Sequence, residues 1–277
     1  MKNWLENKII VITGASSGLG KDMTKMFISK YNCKVIGVAR NEEKLKNLKN
    51  EISPNDDKFE YVQADVSKKE DWKKIYSFTK NKNCTLLINN AGTMLPFQRA
   101  DKVEDFDIER IFKTNLFSAI YGYKTFCKDF RKNSNCGIVN IASIAAIAFL
   151  PGTSYYSATK SALASFSKII ACEERKKFFV GTYYPGTART NLFKNKDNKK
   201  DVLDDKAESF LKHLSMSSEK MAKKIVKAIA KRKKCKSFGV DSGLLRFLTR
   251  LMPVKSSDLC LTVFKKSKLE TFEEIFN

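Results

Sequence analysis

Lys8-Ile9-Ile10-Val11-Ile12-Thr13, running straight into Gly14-Ala15-Ser16-Ser17-Gly18-Leu19-Gly20, is the stretch that decides how this chain folds. Residues 8–13 are apolar and β-branched, the profile of a strand buried on both faces. A glycine-rich turn follows, and residues 18–31 carry the pattern of a helix. Strand, turn and helix together make an anion cradle. Glycine lets the backbone approach a phosphate, and the first N–H groups of the helix carry the positive end of its dipole. The spacing is G-x-x-x-G-x-G rather than the commoner dinucleotide fingerprint G-x-G-x-x-G. A glycine-rich turn with no ligand is the competing reading, and the next strand weighs against it.

That strand, Val35-Ile36-Gly37-Val38-Ala39, ends at Arg40. About twenty residues past such a turn, a carboxylate binds the ribose 2′-OH of NAD, whereas an arginine accommodates the 2′-phosphate of NADP. Ala39 supplies no carboxylate, and the guanidinium fork of Arg40 matches phosphate oxygens. Ser16 or Ser17 adds a hydroxyl for the same group. These residues favour NADP(H), against the plainer reading of Arg40 as a solvated surface side chain.

Further apolar runs near 34–39, 59–63, 85–89, 137–142, 178–184 and 238–240 predict strands, with longer helical stretches between most of them. Such alternation predicts an α/β fold, a single doubly wound parallel sheet of Rossmann-like type with helices on both faces. Residues 104–131 and 153–176 are expected to be long helices. With no internal repeat and no proline- or glycine-rich linker, residues 1–277 are expected to form one domain. Residues 187–216 are expected to act as a substrate lid. The extension 240–277 has three open roles: lid, subunit contact or membrane-surface segment.

Tyr156-Ser157-Ala158-Thr159-Lys160 lies thirteen residues after Ser143. A free tyrosine titrates near about 10 and is a poor base at neutral pH. A lysine four residues later on a helix sits on the same face, where its charge favours phenolate and pulls the tyrosine down. Tyr155 points elsewhere on the wheel and is expected to pack. Alone, Tyr-x-x-x-Lys is a weak pattern in a lysine-rich chain.

Taken together, these motifs resemble the short-chain dehydrogenase/reductase family, in family order across residues 8–190. Thr13-Gly14-Ala15-Ser16-Ser17-Gly18-Leu19-Gly20 is similar to its cofactor turn, and Asp65-Val66 to its adenine contact. Asn89-Asn90-Ala91-Gly92 resembles the motif ending its fourth strand. Pro185-Gly186-Thr187-Ala188-Arg189-Thr190 resembles the segment contacting the nicotinamide carboxamide. The resemblance makes Ser143, Tyr156 and Lys160 the catalytic serine, tyrosine and lysine, and Asn115 the holder of a proton-relay water. Tyr156 and Lys160 also contact the cofactor in that scheme. It implies hydride delivery from NADPH to a carbonyl, with Tyr156 as proton donor, and pairing of subunits through the long helices as a homodimer or homotetramer.

Seven cysteines without a C-x-x-C pair argue against a disulfide framework or zinc site and suit a cytoplasmic protein. The single histidine, His213, leaves no histidine-based triad, and no metal site is expected. The opening residues do not read as a signal peptide. The apolar stretch 138–150 falls short of the ~20 residues a membrane span needs. The net charge is +22, and residues 220–236 hold nine Lys or Arg and no acid. Met221, Ile225, Val226 and Ile229 recur there at helical spacing, predicting an amphipathic helix with a basic face. That face is read as solvated, or as a dock for an anionic membrane or substrate, and no nucleic-acid module is present. Residues 243–253 predict a second amphipathic helix stopped by Pro253, with Leu244, Leu245, Phe247, Leu248, Leu251 and Met252 on one broad apolar face. Basic flanks make a peripheral membrane contact one reading of it.

The expected activity is NADPH-dependent reduction, reversible as alcohol oxidation, of a lipophilic ketone or other carbonyl. Reduction of a 3-oxoacyl thioester on an acyl carrier or coenzyme A is the alternative, and a non-catalytic NADP-binding regulator a third. The substrate pocket is expected among Met94, Leu95, Phe97, Ile147, Phe149 and Leu150, with Leu192, Phe193, Phe210, Leu211 and Leu214 from the lid.

Overall fold

The computed structural model describes residues 4–189 and 215–276. The expectations placed on Thr190, His213 and the apolar residues between 192 and 214 lie outside them. Seven parallel strands form the main sheet in the order β3-β2-β1-β4-β5-β6-β9. They are β1 (Ile9–Thr13), β2 (Lys34–Ala39), β3 (Phe59–Gln63), β4 (Leu86–Asn89), β5 (Gly137–Ile141), β6 (Phe179–Pro185) and β9 (Cys235–Phe238). A second, two-residue pair, β7 (Ala188–Arg189) with β8 (Met216–Ser217), brackets the undescribed stretch.

Because side chains alternate across a sheet, each apolar strand feeds two cores. Ile10 and Ile12 pack on one face with α1 (Gly18–Tyr31), α2 (Glu42–Ile52) and α7 (Ser218–Ala230). Val11, between them, faces Trp72 of α3 (Lys69–Thr79), Phe126 and Phe130 of α5 (Ser118–Phe130), and Ile170 of α6 (Ser154–Glu173). Leu86 and Ile88 against Leu87 repeat the pattern on β4. The run that looks uniformly apolar in sequence is therefore two half-cores back to back. The strand order reverses between β1 and β4, opening a crevice at their carboxyl ends, the usual ligand position in such sheets.

Three elements differ from the expectation. The basic helix of 220–236 stops at Ala230, Arg232 takes a left-handed φ of 48°, and the chain returns as β9 at 235–238 instead of 238–240. β9 is the sheet edge, where lysines are favoured because they discourage pairing with another chain. Met221, Ile225, Val226 and Ile229 of α7 are wholly buried, so only the opposite face of this helix is solvated. The helix expected over 104–131 is α4 (Asp105–Phe112), a π-helical turn Lys113–Phe117 and α5. Beyond Pro253, a further helix that sequence patterning did not suggest, α9 (Lys255–Ser267), follows α8 (Val240–Leu251), and a short 3-10 helix spans Glu270–Ile275.

Candidate active site

The glycine turn is locked to β4 by close packing. A Cβ on Gly20 would lie 2.1 Å from the Gly14 carbonyl oxygen, and Gly14 itself has φ +69°, so neither position accepts a side chain without strain. Thr13 Oγ1 accepts from the backbone N–H groups of Asn90 and Ala91, both at 3.0 Å, and the Asn90 amide donates to the Thr13 carbonyl at 3.0 Å. Ser17 precedes α1 in extended geometry, makes no side-chain cap bond, and the first turn carries no acid. The positive end of α1 thus faces the crevice without an acidic side chain of its own turn beside it.

Four chemically active side chains lie buried beside it. Ser143, at the end of β5, caps the short helix Ile144–Ala146 by accepting from Ala145 N–H at 3.2 Å. Tyr156 and Lys160 stand one turn apart on α6, with the Lys160 Nζ 5.9 Å from the Tyr156 ring centre. Asn115 sits in the π-helical turn, where the wider helix turns its amide inward. It donates to the Thr93 carbonyl at 2.9 Å and to Thr159 Oγ1 at 3.2 Å, and accepts from Thr93 N–H at 2.8 Å. A Cβ on Gly92 would be 3.3 Å from both Asn115 Oδ1 and Lys160 Nζ, so this glycine leaves the room in which those groups approach.

The electrostatics correct one expectation. Burial pushes the Tyr156 phenol above the ordinary tyrosine value, and the Ser143 hydroxyl opposes this only in part. The Lys160 ammonium donates to the Ile141 carbonyl at 3.1 Å, and burial lowers its own pKa to about 8. Desolvation outweighs the attraction because both groups are taken out of water together. Tyr156 therefore holds its proton firmly.

A cavity of about 520 Å³ runs from the glycine turn over these groups. Gly14, Ser17, Gly18 and Leu19 line one end, with Asn90, Ala91 and Gly92, while Ser143, Tyr156 and Lys160 lie beneath and Pro185, Gly186 and Thr187 close the side. Asn115, Ser16 and Gly20 are not part of this lining. Arg40, at the exposed end of β2, and Asp65 and Val66, just past β3, do not line the cavity. The Asp65 carboxylate accepts from Ser67 N–H at 3.0 Å and Ser67 Oγ at 2.7 Å. Met94, Phe97 and Leu150 line the cavity as expected, but Leu95 and Ile147 turn into neighbouring packing and Phe149 is 52 % exposed.

The roof residues were not singled out in sequence, which left the 240–277 extension open between lid, subunit contact and membrane-surface segment. Leu245 and Leu248 of α8, Leu259, Cys260, Val263 and Phe264 of α9, and Phe272 close the cavity from the C-terminal extension. Phe264 stacks on Phe272 at 4.0 Å, and Phe97 meets Phe272 edge-on at 5.1 Å. Beneath the floor a second unforeseen feature, the buried ladder Asn89–Asn140–Ser167, joins β4, β5 and α6 by two 2.8 Å hydrogen bonds. Tyr155 packs as expected, its hydroxyl donating to the Ala100 carbonyl. Among the described residues, no group of three or more His, Cys, Asp and Glu is placed to hold a metal, and no helix is long and apolar enough to cross a membrane.

Sheet order, glycine turn and buried Ser-Tyr-Lys constellation define a nucleotide-binding oxidoreductase fold. The chain belongs to the short chain dehydrogenase family, whose sequence model matches residues 8–201. It is 30% identical over 195 residues to a 3beta-hydroxysteroid dehydrogenase 2 of Eggerthella lenta, spanning 68% of this chain and 74% of that one. Among solved structures it superposes on a 3-ketoacyl-(acyl-carrier-protein) reductase from Brucella melitensis complexed with NADH, with TM-score 0.75, 25% identity, and coverage of 85% of this chain and 98% of that one. A serine dehydrogenase complexed with NADP+ gives TM-score 0.74 at 25% identity, covering 83% and 94%.

Proposed function

We propose that the protein is an NADPH-dependent carbonyl reductase, reversible as an alcohol dehydrogenase, acting on a lipophilic ketone or other carbonyl. The observation that carries this reading is a buried Tyr156 that lines, with Ser143 and Lys160, a largely apolar cavity continuous with the glycine turn. A nicotinamide dinucleotide fits the residues present. The acid-free N-terminus of α1 takes the pyrophosphate, Pro185, Gly186 and Thr187 take the nicotinamide end, and Asp65 and Val66 the adenine. Bound there, the reduced cofactor supplies the hydride.

The chain's own residues then do the rest. Ser143 donates to the substrate carbonyl oxygen and orients it. Tyr156 gives its proton to that oxygen as negative charge grows, a pre-aimed donor in a water-poor site. Lys160 holds the cofactor ribose and its positive charge favours the phenolate left behind. Asn115 fixes the Thr93 loop beside Lys160 and holds the relay water through which Tyr156 is reprotonated. Arg40, with Ser16 or Ser17, receives the 2′-phosphate of NADPH. The Eggerthella relative, a hydroxysteroid dehydrogenase by name, supports a bulky lipophilic substrate, and the family's usual pairing of long helices supports a homodimer or homotetramer.

The test is NADPH oxidation across a panel of ketones and 3-oxoacyl thioesters. Preference for free lipophilic ketones, insensitive to salt when NADPH is saturating, is the expected result. The Brucella neighbour and the basic surface favour one second reading, 3-oxoacyl thioester reduction. Steep loss of activity with salt on a carrier-bound substrate would select it, because exposed charge pairs are screened.

A further inference from the structure

The broad apolar face expected over residues 243–253 is divided in two by the fold. Leu245 and Leu248 point into the cavity, while Leu244, Phe247 and Leu251 point away and are 58, 59 and 62% exposed. At 3.6 residues per turn these three fall within about 60° of one another, so they form one outward stripe. Beside it Val254 is 74% exposed, and on α9 Leu259 and Val263, on the lip of the cavity, are 48 and 50% exposed. The Ser257 hydroxyl donates to the Phe149 carbonyl at 3.0 Å, bringing exposed Phe149 to the same rim. Single exposed hydrophobics are ordinary, but a contiguous group around a cavity mouth marks an interaction surface.

Charge identifies the partner. Residues 240–268, which span both helices, carry six cations, Arg246, Arg250, Lys255, Lys265, Lys266 and Lys268, against two acids, Asp241 and Asp258. On α8 the two arginines sit together at the edge of the outward stripe. On α9 Lys255 and Lys266 bracket Leu259 and Val263 on one face. An isologous contact would set this patch against its own copy, cation against cation. A separate exposed apolar group, Phe106, Phe117 and Ile169 on α4–α6, is available for a subunit contact. Apolar side chains rimmed by long basic ones match a bilayer interface, where the former enter the acyl boundary and the latter reach anionic headgroups.

We propose that α8 and α9 seat the protein on an anionic membrane surface, with the cavity mouth facing the lipid. The seat belongs to the outside of the roof and needs no bound cofactor. Only the corollary, that a lipophilic carbonyl enters from the bilayer, rests on the reductase reading.

Full-length protein should co-sediment with vesicles of phosphatidylcholine and phosphatidylglycerol, bind much less to phosphatidylcholine alone, and detach at high salt. The variant Leu244→Asp/Phe247→Asp/Leu251→Asp should lose at least about tenfold in binding while keeping its melting temperature and its turnover of a water-soluble ketone. Each of Arg250→Gln and Lys255→Gln should cost about fivefold. Should the triple variant misfold, Phe247→Trp in the otherwise unchanged chain gives a second reading: its fluorescence should shift to the blue on adding anionic vesicles. Absence of wild-type binding at low salt, or an unshifted emission, would overturn the proposal. So would a triple variant that breaks an oligomer of a protein indifferent to vesicles, which would assign the patch to a second copy. Turnover of the soluble ketone is scored separately, so loss of the membrane proposal and loss of the reductase reading are distinguishable.

Discussion

The floor and the roof of the cavity are built by opposite rules. The floor comes from the carboxyl ends of β1, β4 and β5, strands buried on both sides, and one turn of α6, and its polar groups are held by hydrogen bonds such as Lys160 Nζ to the Ile141 carbonyl at 3.1 Å. The roof comes from α8, α9 and the turn at 270–275, is almost wholly apolar, and rests on aromatic packing and a few backbone bonds such as Arg99 N–H to the Glu274 carbonyl at 3.3 Å. On the proposed reading the floor makes the bond and the roof selects the molecule brought to it, while the outer side of the roof has no core to rest on.

The largest effect should fall on the floor. Tyr156→Phe keeps the ring and removes the proton donor, so turnover should drop by about 10²–10⁴-fold while NADPH affinity is nearly unchanged. Tyr155→Phe, on the neighbouring position, should stay within about threefold, losing one weak bond to Ala100. Steady-state kinetics of the pair checks the division. A severe Tyr155 variant beside a harmless Tyr156 variant would place the chemistry elsewhere.

The matching change in the roof is Phe272→Ala. It removes the ring that stacks on Phe264 and meets Phe97, at a position only 5% exposed. Burial of this kind loses about 3–5 kcal/mol on truncation, less where neighbours relax. Denaturant unfolding should show that loss, and KM for a bulky ketone should rise more than kcat falls. An unchanged KM would mean the roof does not touch the substrate.

How far each half was legible follows from the same contrast. Gly14 to Gly20, Ser143, Tyr156 and Lys160 lie in short local patterns, Asn90 stands out by family resemblance, and the strands around them were readable because two-sided burial makes an uninterrupted apolar run. Asn115 was legible only by family resemblance, since nothing local announces a π-helical turn. Leu259, Cys260, Val263 and Phe264 were invisible as cavity residues. They lie around Leu261 and Thr262, with Asp258 before and Lys265 after, on a short helix past Pro253, and only tertiary packing reveals which side meets Phe97. The run 231–236 failed differently: lysines fit a solvated helix and an edge strand equally, and the choice was made by β6 needing a partner.

A third test sets stability against activity within the floor. Burial holds the Lys160 pKa near 8 in the folded protein, below its ordinary 10.5. The unfolded chain thus binds more protons between those values, so this group's contribution makes the protein more stable as pH rises from about 8 to 10.5. Below 8 the buried ammonium costs about 3 kcal/mol. Lys160→Met removes that cost but orphans the Ile141 carbonyl, worth about 1 kcal/mol back. A net gain of roughly 1–2 kcal/mol at pH 7 is expected, together with near-complete loss of turnover. In the wild type, affinity for NADPH should decline as pH rises through about 8, where Lys160 becomes neutral. Thermal unfolding of both proteins from pH 7 to 10 measures the first claim and fluorescence titration the second.

The smallest effect concerns the far end of the crevice, where neither floor nor roof intervenes. Arg40 is exposed at the end of β2, and Ala39 occupies the position at which a carboxylate would hold a ribose 2′-OH. Gln63 donates to the Arg40 carbonyl at 3.1 Å, fixing the backbone there while leaving the choice of cofactor to the side chains. Replacing Ala39 with Asp and Arg40 with Gln should cut efficiency with NADPH and raise it with NADH. A charge-assisted hydrogen bond contributes roughly 1.5–3 kcal/mol, so the preference should move by about ten- to a hundredfold. Salt should weaken the wild-type preference and leave that of the variant nearly constant, because an exposed guanidinium–phosphate pair is screened. Equal use of NADH and NADPH by the wild type would show that Arg40 does not meet the 2′-phosphate, and the NADP assignment would fall while the Tyr156 chemistry stood.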